Sequence, residues 1–366
     1  MKAVLLAAGL TLAGASAQAQ QMRDGPPEAP PLPALSINAQ MSDAELGRAL
    51  DAWVGGLNGE GRFDGAVLIA RDGRQVYAGA FGLADRAANA ANRIDTRFPL
   101  ASIGKVFTAI AIARLEQEGR LRGSDTIAQY ITDYPTALSR TATIDQLLNM
   151  QGGIADIFGP PFRDADKSEF TGNHAYYEFV AHREPMFAPG AGEEYCNGCY
   201  VVLGEIIARV SGMSYEDYVA RNILAPTGMT STGFYRAGAL PANTARFYGT
   251  PRGPGTPVVD VGEFHGAAGS AAGNIYSTLG DLLLLDNALR EHRLLNPQYT
   301  AQVLRGEPES ARATRRIGFA GGAPGVNTML HGNGAWTLII LANREPPTAE
   351  AVDQVVFPLL AGAASR

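Results

Sequence analysis

The sequence predicts an α/β domain of the α+β kind, with an antiparallel sheet assembled from both ends of the chain and a mostly helical middle. Three observations carry that prediction. Residues 65–82 hold two runs of strand composition joined at Asp72-Gly73, a strong short hairpin signal. Strand-like runs return at 316–320, 325–331 and 336–342, the last two joined across Asn333-Gly334. The residues between alternate helical stretches with Gly- and Pro-rich loops. A sheet with an apolar face has to be buried against a second layer, so helices are expected to flank it.

Taken in order, Lys2, the apolar run 3–13 and small residues through Ala19 have the form of a secretory signal, residues 1–19. The run is too short for a normal membrane span, and no later apolar run serves as one. A protein secreted across the inner membrane, periplasmic or extracellular, is therefore expected. Residues 20–40 carry five prolines, Pro26, Pro27, Pro30, Pro31 and Pro33, and read as an extended lead-in. Residues 41–366 remain for one domain, with a sheet part at 41–100 plus 255–366 and a helical part at 101–254.

Residues 42–57 read as a helix striped by Leu46, Leu50, Trp53 and Val54 and closed by Gly55-Gly56. Residues 98–120 hold an apolar helix that ends at Gly119. Short helical pieces follow at 127–130 and 143–148, a loop at 152–161, and helices at 172–182, 200–210 and 215–223, with Pro226 just past the last. A helix at 277–289 precedes the returning strands, and residues 350–363 form a final helix. The net charge of -6, with 18% charged residues and no Lys/Arg block, excludes a nucleic-acid partner. Both cysteines lie in Cys196-Asn197-Gly198-Cys199, without histidine or carboxylate help at metal-site spacing. In an oxidising compartment the two can pair as a small disulfide.

The helix at 98–120 is apolar on most of its circumference, yet it opens with Ser102 and Lys105 three residues apart on one face. Burial lowers a lysine's pKa, and an amine one turn from a serine can take its hydroxyl proton. A capping serine before a snorkelling lysine gives the same pattern, so Ser-x-x-Lys alone does not establish catalysis. The second polar cluster, Tyr195 and Asn197, stands just before the apolar helix that follows. A phenol beside a cationic lysine can pass a proton to a leaving group, although capping and core hydrogen bonding are also open to these residues. The chain lacks Gly-x-Gly-x-x-Gly and Walker patterns, and its histidines show no pattern suited to a Ser-His-Asp triad.

Ser102-Ile103-Gly104-Lys105 followed by Tyr195-Cys196-Asn197 resembles the serine β-lactamase and penicillin-binding protein family. The resemblance is to the branch of class C β-lactamases, D-alanyl-D-alanine carboxypeptidases and esterases. Further matches span most of the chain: residues 143–148, Gly152-Gly153 with 156–159, 203–207, 224–229, 271–278 and 341–344. The resemblance implies a β-lactamase/transpeptidase-like fold and an acyl-enzyme mechanism without cofactor or metal. Ser102 becomes the nucleophile, Lys105 its base, and Tyr195 the proton shuttle, while Asn197 orients Lys105 and the substrate. The Ser102 N–H and one from Gly321 or Gly322 become the oxyanion hole.

Two departures bear on the substrate. Phe319 stands where the family carries Lys or His in its third motif, and Met150 stands where relatives often carry histidine. An apolar ring cannot attract a carboxylate, so an esterase or peptidase-like hydrolase acting on a less charged small molecule or short peptide is expected. The rivals are a β-lactamase or D-alanyl-D-alanine carboxypeptidase, and an envelope binding protein that keeps the fold without catalysis. His265, ahead of the 271–278 loop, is either a cleft residue or a solvent-facing histidine. His331 is expected to be exposed.

Overall fold

The sheet expected from the two ends of the chain is present in the computed structural model, which describes residues 31–250, 256–304 and 317–362. The secretory-signal reading, residues 1–19, and the first part of the lead-in lie outside the described residues. The elements are α1 (Asp43–Gly59), β1 (Gly65–Arg71) and β2 (Arg74–Phe81), then α2 (Lys105–Gln117), α3 (Ile144–Leu148) and α4 (Asn173–Ala181). They continue with α5 (Asn197–Ser211), α6 (Tyr215–Val219), α7 (Leu279–Arg290), β3 (Ile317–Ala323), β4 (Val326–Gly332), β5 (Trp336–Ala342) and α8 (Thr348–Leu360). The five strands run in the order β2-β1-β5-β4-β3, each antiparallel to its neighbours. The first and last parts of the chain thus meet at the β1–β5 pair, where Gly65 faces Ala342 and Arg71 faces Trp336. Asp72 and Gly73 both hold positive φ, 49° and 76°, as the tight hairpin between β1 and β2 requires.

Strand alternation sends side chains to two layers. Leu68, Leu330, Ile339 and Leu341 join a core with Phe107, Ile110 and Leu282, from the side of α2 and α7. The alternate residues face α1 and α8: Tyr77 donates its hydroxyl to Asp51 of α1 (2.8 Å), and Asn327 accepts from the Ala349 N–H of α8 (2.5 Å). All seven residues of β5 are buried, as a strand covered on both faces must be. The apolar circumference of α2 has the same cause, since its Val106, Phe107, Ile110, Ala111, Ile112 and Leu115 are all buried.

Some local readings are corrected. Gly55-Gly56 does not close α1, which runs to Gly59. Its Ser42–Glu45 capping box and the burial of Leu57 outweigh the entropic cost of the two glycines. Pro226 does not end the helix at 215–223: α6 passes through a wider π turn, Ala220–Leu224, into Ala225–Thr227 and stops at Gly228 with φ 76°. The carbonyl of Asn222, which proline's missing N–H would have satisfied, accepts instead from Arg114 Nη1 (3.3 Å). Helix α5 begins three residues before the expected start, with Cys196 Sγ accepting the Cys199 N–H at its cap. His331 is not exposed: it stacks on Phe357 and meets the Asp353 carboxylate through Nδ1 at 3.0 Å.

A buried polar group fixes α7 to the sheet. Asp286 accepts from Arg290 Nε (2.8 Å) and Thr337 Oγ1 (2.6 Å), and Arg290 donates on to Thr337 Oγ1 and the Gly334 carbonyl. Removing one partner strands the other charge away from water. Asp286→Ala is expected to destabilise the fold by about 3–5 kcal/mol in a urea titration, far more than removal of an exposed pair such as Arg93–Asp95.

Candidate active site

Ser102 sits on a 3-10 turn, Ala101–Gly104, that leads directly into α2. The chain is held before that turn by two short contacts: Leu100 N–H to the Ile275 carbonyl (2.9 Å), and Asn274 N–H to the Ala101 carbonyl (3.1 Å). Ala101 adopts φ 45°, a left-handed conformation that costs a non-glycine residue of order 1–3 kcal/mol. Strain of this kind persists only where surroundings over-determine it. Gly273 packs so closely on Ala101 that an added Cβ would lie 2.4 Å from its carbonyl oxygen. The result is a serine presented at a helix start and braced from the loop before α7.

Lys105, in the first turn of α2, is 7% exposed. Its amine reaches three oxygens: Asn197 Oδ1 at 2.7 Å, the Ala272 carbonyl at 2.7 Å and Ser102 Oγ at 3.2 Å. The rings of Tyr195 and Tyr200 lie 4.8 and 5.5 Å from it. Burial in this setting drives the Lys105 pKa down to about 7, against a smaller opposing pull from the Asp156 carboxylate. A neutral amine has two N–H groups and one lone pair. The two carbonyl acceptors take the former, which leaves the lone pair for Ser102.

Tyr195 Oη donates to Ser102 Oγ at 2.6 Å, so the hydroxyls and amine read from sequence do converge. Tyr195 is 54% exposed as a residue, but its hydroxyl is turned into the cleft. Desolvation there raises its pKa, partly offset by the bond to Ser102. Asn197 is the first residue of α5, and its backbone N–H is received by Asp156 Oδ1 at 3.1 Å. The two cysteines are disulfide-bonded, which resolves the pairing left open by the sequence, and both are fully buried beside Tyr195 and Asn197. Met150 accepts the Cys196 N–H on its sulfur (3.3 Å) and lines the cleft, consistent with a gap-filling residue at the end of α3.

Across the cleft is β3, the free edge of the sheet. Phe319 lines a cavity of about 300 Å³ with Ser102, Lys105, Tyr195 and Met150. Gly321 lies against the Ser102 backbone: a Cβ there would stand 2.3 Å from the Leu100 carbonyl oxygen and 3.0 Å from Ser102 N. Gly322 lines a second small cavity with Ser102 and Asn197. His265 is not solvent-facing. It is 7% exposed, stacked on Phe247, and lies between the Pro324 carbonyl (2.7 Å from Nε2) and Asn274 Nδ2 (3.2 Å from Nδ1). It meets Asn274, which lines the second cavity, and itself lines the neighbouring recess beside Phe264 and Pro324. Asp156 and the Ala272 carbonyl were given no role from sequence, although both lie in segments, 156–159 and 271–278, that carry the family resemblance.

The family model described as Beta-lactamase matches residues 50–354. Penicillin-binding protein 4* of Bacillus subtilis is 28% identical over 78% of this chain and 69% of its own length. The putative penicillin-binding protein PbpX of the same organism is 31% identical over 63% of this chain, which spans 56% of that relative. The crystal structure of a penicillin-binding protein from Bacillus halodurans superposes with a TM-score of 0.72 at 24% identity, over 82% of this chain and 98% of that one. The matching family model spans most of the chain, and the chain therefore belongs to the beta-lactamase family of serine hydrolases.

Proposed function

We propose that the chain hydrolyses an ester or amide through an acyl-enzyme on Ser102, with Lys105 as base and Tyr195 as acid. The convergence of Lys105 Nζ and Tyr195 Oη on Ser102 Oγ, at 3.2 and 2.6 Å, is the observation that carries this reading. Ser102 Oγ bonds to the substrate carbonyl carbon as its proton passes to the Lys105 amine. The tetrahedral intermediate collapses by breaking the bond to the leaving group, which departs with the proton of Tyr195, and Tyr195 is reprotonated from Lys105. Water then attacks the acyl-enzyme by the same route in reverse, releasing acid and free Ser102.

The developing oxyanion is received by the Ser102 N–H and that of Gly322. Asn327 Nδ2 donates to the Gly321 carbonyl (2.9 Å), which turns that oxygen into the sheet. The trans peptide then directs the Gly322 N–H to the opposite side, the free edge of β3 beside Ser102. Asn197 positions Lys105, and Phe319 gives the leaving-group side an apolar wall, which favours an esterase or peptidase acting on a weakly charged substrate. The penicillin-binding relatives support the second reading, a β-lactamase or D-alanyl-D-alanine carboxypeptidase. The apolar leader of the sequence and the Cys196–Cys199 disulfide support an exported protein, periplasmic or extracellular. Among the described residues no helix is long and apolar enough to cross a membrane.

A fluorophosphonate probe is expected to add to Ser102 and to no other serine by peptide mass spectrometry, and Ser102→Ala to abolish both labelling and turnover. Absence of labelling in folded protein that also leaves esters, lactams and D-amino peptides untouched would sink this reading. Because the base is the neutral Lys105 amine, kcat/KM is expected to rise about tenfold per pH unit below about 7 and to level off above it. The tyrosine limb, whose pKa is shifted upward, lies on the alkaline side. Tyr195→Phe is expected to lower the acylation rate, read from the pre-steady-state burst, by roughly 10²–10⁴ for an alkyl ester, and by much less for a 4-nitrophenyl ester, whose leaving group needs no proton.

A further inference from the structure

Two cavities meet at Ser102. One holds Tyr195, Phe319 and Met150. The other holds Asn197, Gly322, Ala323 and Phe158. The second opens, through the shared Phe158, Gly322 and Ala323, into a larger recess of about 690 Å³ walled by Phe158, Phe162, Phe264 and Pro324. Resting on the proposed function, we infer that this aromatic recess is the acyl subsite, and that the substrate's acyl part is a neutral, bulky apolar group such as an arylacyl chain.

The orientation follows from the chemistry at Ser102. With the carbonyl oxygen held between the Ser102 and Gly322 N–H groups, the leaving group must lie where Tyr195 can protonate it. Tyr195 lines the cavity that also holds Phe319 and not the one that holds Gly322. The acyl substituent projects from the other side of the carbonyl carbon, past Asn197 and Gly322, and so toward Phe158.

The recess is built to take apolar surface. Phe158 and Phe264 are large apolar residues left 51% and 40% exposed at its mouth. Phe158 is not a loose surface ring: it packs edge-on against Phe162 (5.4 Å), which in turn packs against Phe170 and Tyr176 in the core. A rooted aromatic of this kind offers contact area at little entropic cost, and edge-to-face geometry suits a further ring. The rim charges are of both signs, Lys167 and Arg163 with Glu263 on the recess and Asp164 beside Arg163. Lys167 Nζ donates to the carbonyls of Arg163 (2.9 Å) and Ala165 (2.8 Å) and stands over the Phe162 ring, while Arg163 pairs with Asp164. Glu263 also lines the recess and opposes an anionic acyl terminus. A neutral occupant therefore fits better than a carboxylate.

The test compares 4-nitrophenyl acetate, phenylacetate and succinate as substrates of the full chain. Hydrolysis of the phenylacetate is expected to exceed that of the acetate by about tenfold or more in kcat/KM, and the succinate to gain nothing from its length. Phe158→Ala and Phe264→Ala are each expected to cut the phenylacetate-to-acetate ratio by about tenfold. Ile94→Ala, which alters an exposed apolar residue outside the recess, should leave the ratio unchanged. Thermal melts confirm that the variants are folded. Ser102-dependent turnover of the acetate with no phenylacetate preference, or a preference indifferent to both substitutions, overturns the acyl subsite and leaves the proposed function standing. Preferential turnover of the succinate overturns the neutral-acyl assignment. If Phe158→Ala instead changes discrimination between methyl and phenyl phenylacetates, the orientation is reversed and the inference fails. Absence of any Ser102-dependent turnover removes the proposed function, and the inference with it.

Discussion

The rest of the site depends on one constraint: the Lys105 amine is out of water. A buried ammonium is costly, and the protein meets that cost by letting the proton go near neutrality and by supplying two carbonyl oxygens at 2.7 Å. Those oxygens come from opposite sides, Asn197 at the start of α5 and Ala272 in the loop before α7. Neither segment can shift without leaving a buried amine or carbonyl unpaired, which costs about 1–3 kcal/mol per group. The same constraint that lowers the Lys105 pKa therefore locks the two walls of the cleft to α2.

The sheet supplies the third wall, and its topology explains why a chain with its strands at both ends makes this site. Pairing β1 with β5 places the C-terminal hairpin beside the N-terminal one and leaves β3 as the free edge. Thr328 on β4 donates to the Leu100 carbonyl at 2.9 Å, bringing the segment before Ser102 against the sheet, and Gly321 allows the closest approach by carrying no side chain. The disulfide acts on the other wall. It closes the turn at which α5 begins and encloses Asn197, while Tyr195 immediately precedes it, so the two residues that face Lys105 and Ser102 share one short rigid segment.

What could be read in the sequence follows from the range of the physics behind each signal. The β1–β2 hairpin was legible because Asp72 and Gly73 encode positive φ locally, and 336–342 because Leu338 to Ala342 form an unbroken apolar run after Trp336. Ser102, Lys105, Tyr195 and Asn197 were legible as a motif at fixed spacing. The misses are residues whose fate is decided at long range. Gly55, Gly56 and Pro226 are local breakers overridden by packing and by a π turn. His331 reads as a turn residue, but Asp353 and Phe357 of α8 hold it half-buried, and His265 is buried by Phe247 and Pro324, distant in the chain. Asp156 belongs with these, since its relation to Asn197 exists only in the folded loop.

Phe319 illustrates how a single departure gains meaning from its surroundings. In sequence it is a missing charge. In the fold it is a half-buried ring on the edge strand, packed against the core and turned toward the side of Ser102 that Tyr195 serves. The opposite side is also aromatic, through Phe158 and Phe264. An enzyme that recognises an anionic substrate needs a fixed cation near the reacting bond, because charge complementarity is felt most strongly where water is excluded. In the proposed reaction the amine nearest the bond, Lys105, is occupied by Asn197, Ala272 and Ser102 and has its pKa driven down to about 7 by burial, which suits a base better than an anchor. On the proposed reading, binding energy for the substrate comes from apolar contact on both arms of the cleft. Contact of that kind selects by size and shape, and it leaves the charge-bearing groups free for proton transfer.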